Sequence, residues 1–185
     1  MLEKVLSLDT DLFIFLNGLG SEKHDGFWLL ITKQTSWIPL FILLIYLIFK
    51  KLGTKQSLYL ILFVAILIVL TDQTANLFKN GFQRLRPCNN PEINLFIRIV
   101  KSSSTFSFFS GHATNSMGVA TFLYLIFKKH YNYFWLLFLW PLIFAYSRIY
   151  LGLHYPLDII CGYLCGGILG FLMFKLYRIA QKRNF

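Results

Sequence analysis

Three short segments hold the side chains that could do chemistry. The first is Lys79, Arg86 and Pro87, spaced Lys-x6-Arg-Pro. The second is Ser110, Gly111 and His112. The third is Arg148, His154 and Asp158, spaced Arg-x5-His-x3-Asp. Arginine presents a planar fork of donors that matches phosphate oxygens, and lysine adds a compact charge. Serine is a strong helix N-cap, and glycine lets the backbone come close to a ligand. The free N–H groups at such a helix start suit an anion, and His112 would lie in the first turn beside it. Pro156 fits the first turn of a helix, so His154 sits just before a helix start and Asp158 just inside it. A carboxylate in reach of an imidazole fixes its tautomer and leaves the other nitrogen free to attack. Taken singly, each segment has a plainer role: cations that snorkel to headgroups, an ordinary cap, a carboxylate complementing a helix dipole. Together they suit metal-free hydrolysis of a phosphate ester.

All three segments fall at the ends of long apolar runs. The chain is 185 residues long, 56% hydrophobic and only 14% charged, with a mean hydropathy of +0.58. Soluble domains carry about 25% charged residues. The composition therefore predicts an integral membrane protein, all-α, with one polytopic helical bundle over residues 35–185. A spanning helix needs about 20 apolar residues. Five spans are expected, at residues 35–49, 56–78, 111–127, 131–146 and 156–176. Residues 1–34 read differently. Leu8, Leu12, Phe13, Phe15 and Leu16 alternate with Asp9, Asp11 and Asn17, and Gly18 and Gly20 end the pattern. This predicts one or two interfacial amphipathic helices; the rival reading starts the first span at Gly26. Met1 to Gly20 lacks the long apolar core of a signal peptide.

Orientation follows from the basic residues. Lys50, Lys51, Lys55, Lys128, Lys129, Lys175, Arg178, Lys182 and Arg183 fall on one side, with no acidic residue. That side is expected to be cytoplasmic. The three motifs then share the opposite side, the periplasmic face of an inner (cytoplasmic) membrane. The connection 88–109 between spans two and three is the longest, a candidate lid or access path, with a flexible tract at 102–105. The net charge of +10 reads as topology and attraction to headgroups. No soluble basic face exists to hold nucleic acid. Cys88, Cys161 and Cys165 make no disulfide framework, and no Cys/His spacing suggests a zinc site. Asp72, seven residues before Lys79, is either functional or a partner for a polar group near the site. Gly162, Gly166 and Gly170 form a small-residue stripe, for packing within the bundle or between copies.

In these segments, KNGFQRLRP, FSGH and SRIYLGLHYPLD, the chain resembles the type 2 phosphatidic acid phosphatase superfamily. The resemblance covers roughly residues 72–170 and includes Ser147, Tyr150, Gly152, Tyr155 and Pro156. Phe109 stands where the family pattern has proline, which bears on the loop entering span three. The resemblance implies that His154 is the nucleophile, forming a phosphohistidine, and that Asp158 orients it. It implies that His112 protonates the leaving oxygen and then activates water. Lys79, Arg86, Arg148, the Ser110 hydroxyl and the Gly111 N–H would hold the phosphoryl oxygens. No metal and no cofactor would be needed. The expected substrate is a lipid phosphate or diphosphate in the bilayer: undecaprenyl diphosphate, phosphatidylglycerol phosphate, phosphatidic acid or a lipid A phosphate. A lipid phosphotransferase using the same site, or a non-catalytic lipid-binding membrane protein, are the alternatives. Oligomeric state is not legible.

Overall fold

The computed structural model describes residues 2–184, with the side chains of Arg183 and Asn184 outside the described residues. Arg183, one of the nine cations assigned to the cytoplasmic side, is thus placed by its backbone alone. Among the described residues the chain forms six α-helices: α1 (Leu2–Gly18), α2 (Glu22–Ile31), α3 (Ile38–Phe82), α4 (Gly111–Phe127), α5 (Leu139–Tyr150) and α6 (Pro156–Asn184). The all-α membrane bundle expected from hydropathy is the fold observed.

The first two expected spans are the two legs of α3. They meet at Gly53, whose φ of +72° and ψ of 175° lie outside the helical region. Ser57 stitches the kink by donating to the carbonyls of Gly53 at 2.6 Å and Ile48 at 3.3 Å. The fourth expected span begins with a 3-10 turn at Phe134–Phe138 and continues as α5. Helix α4 lies at the centre. Its Val119, Phe122, Leu123 and Phe127 join Leu44, Ile48, Leu60 and Leu67 of α3, Phe144 of α5 and Tyr177 of α6 in the main core.

The glycine stripe packs within the bundle. A Cβ at Gly166 would collide with the Thr114 carbonyl, and one at Gly170 with the Gly118 carbonyl. At Gly162 it would lie 2.9 Å from the Ser110 carbonyl. Helices α4 and α6 therefore run backbone against backbone, which brings Ser110 and Asp158 to the same end. The Ser110 N–H donates to the Asp158 carbonyl at 3.1 Å.

Helix α1 turns a mixed stripe inward, two of its polar residues included. Asp9, Phe13 and Asn17, spaced four apart, are buried, whereas Leu8, Leu12 and Phe15 are exposed. Asn17 donates to the carbonyls of Arg98, Ile149 and Tyr150 and accepts from the Arg98 N–H.

Candidate active site

Helix ends place Lys79, Ser110, Arg148, His154 and Asp158, and Arg86 follows in the short link after α3. Lys79 lies in the last turn of α3, and Gln83 in left-handed conformation (φ +49°) ends that helix. Ser110 caps α4, its Oγ accepting from the Ala113 N–H at 3.4 Å. Arg148 lies in the last turn of α5. A tight link then passes through Gly152 (φ +83°), where a Cβ would lie 3.0 Å from the Arg98 carbonyl. This turn delivers His154 to the start of α6, with Asp158 in its first turn.

The groups converge. Arg86 Nη1 donates to His154 Nε2 at 3.0 Å. Arginine has donors only, so Nε2 accepts and the neutral ring carries its proton on Nδ1. That nitrogen faces Asp158 Oδ2 at 3.3 Å. Asp158 Oδ2 also accepts from the Tyr155 N–H at 2.9 Å. Both His154 and Asp158 are fully buried. Burial, then the charges of Arg86 and Arg148, hold the His154 imidazole well below its ordinary value, so it is neutral at pH 7. Gly111 abuts Lys79: a Cβ there would lie 3.7 Å from the Lys79 ammonium nitrogen. His112 is within the electrostatic reach of Arg148, His154, Lys79 and Arg86. Its ring packs on Phe144 with centroids 4.8 Å apart.

The cations are fixed to different degrees. Arg86 donates to the Thr105 carbonyl, the Thr105 hydroxyl and the Leu153 carbonyl, all within 2.9 Å. The tract at 102–105, expected to be flexible, is thus pinned to the site, and Asn89 adds a 2.7 Å bond to the Ser103 carbonyl. Arg148 is held by Thr32, which accepts from Nη1 at 2.6 Å. Its Nε is buried without a partner among the described residues.

Sequence reasoning missed Arg84, Asp9, Thr32 and Thr105. Arg84 is two residues from Arg86. It donates to Asp158 Oδ1 at 2.9 Å and to Asp9 Oδ2 at 2.7 Å, and its guanidinium lies 3.9 Å from the Tyr155 ring centre. Asp9 also accepts from the Leu157 N–H at 2.7 Å, at the start of α6. The carboxylate of Asp158 is thereby held on both oxygens. An arginine inside the first motif, beside an unpaired acid upstream, was the available signal. Asp72 does not reach this network in the hydrogen-bond pattern; it accepts from Asn76 on its own helix at 3.2 Å. Phe109 is buried against Phe78, and the Phe108–Phe109 peptide is cis. Among the described residues no group of three or more His, Cys, Asp or Glu side chains gathers as a metal site would require.

Comparison with known proteins gives this constellation a family. A family model for the PAP2 superfamily matches residues 56–182. The chain belongs to the PAP2 superfamily. The match runs from the second leg of α3 through α6 and so includes all three motifs of the superfamily pattern. Over its whole length the chain is similar to proteins named lipid A 4'-phosphatase. One, from Bacteroides thetaiotaomicron, is 36% identical over 98% of this chain and 81% of its own length. Another, from Porphyromonas gingivalis, is 32% identical over 98% of this chain and 78% of its own. The crystal structure of Aquifex aeolicus LpxE superimposes with a TM-score of 0.71 at 29% identity, covering 91% of this chain and 95% of that one. In the PAP2 superfamily setting, the three motifs of this chain are brought together by α3, α4, α5 and α6, and α1 and α2 close the site from outside.

Proposed function

We propose that this membrane phosphatase of the PAP2 superfamily removes a phosphate from a phosphorylated lipid of the lipid A type, through a phosphohistidine on His154. The observation that carries the mechanism is the linear arrangement Arg86–His154–Asp158. It leaves Nε2 as the unprotonated nitrogen, with the Arg86 guanidinium beside it.

The chemistry runs in two steps. The phosphate enters among Lys79, Arg86, Arg148 and the α4 start, and takes the guanidinium of Arg86 from Nε2. Nε2 then forms a bond to phosphorus as the bond to the lipid oxygen breaks, and His112 gives its proton to that oxygen. In the second step His112 takes a proton from water, the water oxygen attacks phosphorus, and the N–P bond breaks. Asp158 stabilises the charge on His154, and Arg84 keeps Asp158 in place. Electrostatic stabilisation of the phosphoryl oxygens by fixed cations supplies most of the acceleration.

The five-span topology and its orientation belong to the same reading. Lys128, Lys129, Lys175, Arg178 and Lys182 line one cleft at the ends of α4 and α6 remote from Ser110 and Asp158. That supports a cytoplasmic basic end and a periplasmic site in the inner membrane. The exposed apolar face of α1 supports an interfacial seat for residues 1–34.

Phosphate release by purified protein from a panel of lipid phosphates is the test. Turnover of a lipid A 4'-phosphate ahead of undecaprenyl diphosphate and phosphatidylglycerol phosphate is expected. Faster turnover of either of the latter would displace the substrate assignment and leave the mechanism.

A further inference from the structure

The connection from α3 to α4 folds back on itself. Residues 103–107 lie beside residues 84–89 and run in the opposite sense. Asn89 Nδ2 donates to the Ser103 carbonyl at 2.7 Å. Arg86 Nε donates to the Thr105 carbonyl and Nη2 to the Thr105 hydroxyl, both at 2.8 Å. The Ser107 N–H donates to the Arg84 carbonyl at 2.8 Å, and its hydroxyl to the Leu85 carbonyl at 3.3 Å. Every second residue of this strap is tied to the stretch that carries both arginines. Ser107 is fully buried, and Ser110, the cap of α4, follows shortly after. The strap thus joins the end of the first motif to the start of the second.

Thr105 holds Arg86 by a whole edge. The Nε–H and one Nη2–H of a guanidinium are parallel and form one edge of its donor fork. Thr105 takes both donors of that edge, one with its carbonyl and one with its hydroxyl. Nη1 serves the Leu153 carbonyl at 2.9 Å and His154 Nε2 at 3.0 Å. Arginine has five N–H donors, so one hydrogen of Nη2 is left, on the edge that Nη2 shares with Nη1. Arg86 itself is 4% exposed, whereas Thr105 lies at the surface. Among the described residues, the Thr105 hydroxyl is the one side-chain group besides His154 that holds Arg86.

We propose that Thr105 is a positioning residue for the phosphatase reaction. By occupying one edge of the Arg86 fork, it aims the other at His154 Nε2 and at the phosphoryl group that takes the place of that contact. The inference rests on the His154 mechanism and adds the residue that orients its cation. A loosened guanidinium would grip phosphate less well and guard Nε2 less well against protonation.

The experiment compares full-length wild type, Thr105→Val and Thr105→Ser in detergent, on one lipid phosphate that wild type turns over. Thr105→Val keeps the side-chain shape without the hydroxyl. It loses a hydrogen bond to a charged group and should lower kcat/KM by about tenfold. Thr105→Ser keeps the hydroxyl and should restore most of that loss. The acid limb of kcat/KM should move upward in Thr105→Val and stay in place in Thr105→Ser. In an Arg86→Gln background, adding Thr105→Val should change kcat/KM by about twofold or less, because the two residues act as one unit. Thr105→Ala should repeat the Thr105→Val result and takes its place if the valine variant does not fold. Wild-type activity in Thr105→Val, equal losses in the valine and serine variants, or a full additional loss in the Arg86→Gln background would overturn the proposal. The mechanism fails separately: full turnover in His154→Ala would defeat it whatever the Thr105 variants do. Full turnover in Thr105→Val with none in His154→Ala would defeat the positioning role alone.

Discussion

Arg86 donates to Nε2 of His154, the nitrogen proposed to attack phosphorus, while Asp158 faces Nδ1 on the other side of the ring. This contact gives the lone pair of the proposed nucleophile a cationic donor and so keeps Nε2 unprotonated. Replacing His154 with alanine should lower kcat by on the order of 10⁴ or more, since the covalent route disappears. Phosphate release measured on folded, detergent-purified variant checks this.

Asp158→Asn should keep the fold and lose about 10² to 10⁴ in kcat. The amide cannot accept from Arg84, the Tyr155 N–H and His154 as a carboxylate does. Steady-state kinetics should show kcat falling with little change in KM, because Asp158 acts through His154 and not on the lipid.

The Asp9–Arg84–Asp158 chain predicts that α1 is required for catalysis as well as stability. Asp9→Ala leaves Arg84 with a single carboxylate and the α6 start without its acceptor. Arg84 keeps Asp158, so the loss is that of a charge-assisted hydrogen bond, about 1.5–3 kcal/mol. Thermal unfolding in detergent should show the loss, and kcat should fall with it. The double variant Asp9→Ala/Arg84→Ala should be less destabilised than the two single effects summed.

The pH dependence follows from His154. Its value is depressed below 6.5 by burial and by Arg86 and Arg148. The acid limb of kcat/KM that reports its protonation should therefore lie below the ordinary histidine range. Arg86→Gln should move that limb upward while lowering the plateau. For stability the sign is the same. The unfolded chain binds a proton near pH 6.5 that the folded chain refuses, so this contribution is intact above 6.5 and is lost as pH falls below it.

How much of this was legible in the sequence depends on how each residue is specified. Lys79, Arg86, Ser110, His112, Arg148, His154 and Asp158 could be placed because each sits at a helix boundary that hydropathy and capping mark. Gly53 was not recognised as a kink inside one helix, because a basic, polar stretch between apolar runs reads equally as a loop. Asp9 was read as the wet face of an amphipathic helix. Periodicity gives two faces but not what each packs against, and Asp9 turns inward beside Phe13 and Asn17. Thr32 and Thr105 are single hydroxyls that reach the arginines only through folding of distant segments; no local spacing marks them. Cys88, one residue past the first motif, is buried against Tyr150, Leu151 and Leu153, so it is a poor reporter of sidedness. A cysteine at Leu95, which is 86% exposed, in a cysteine-free background is the better probe.

Trapping of the covalent intermediate tests the central claim most directly. Wild-type protein should be mixed with lipid labelled in its phosphate and quenched during turnover in alkaline detergent. Label should remain on the protein, be stable to alkali and labile to acid, and map to the peptide containing His154. Label on any other residue, Ser110 included, or label undiminished in the His154→Ala variant, would contradict the account.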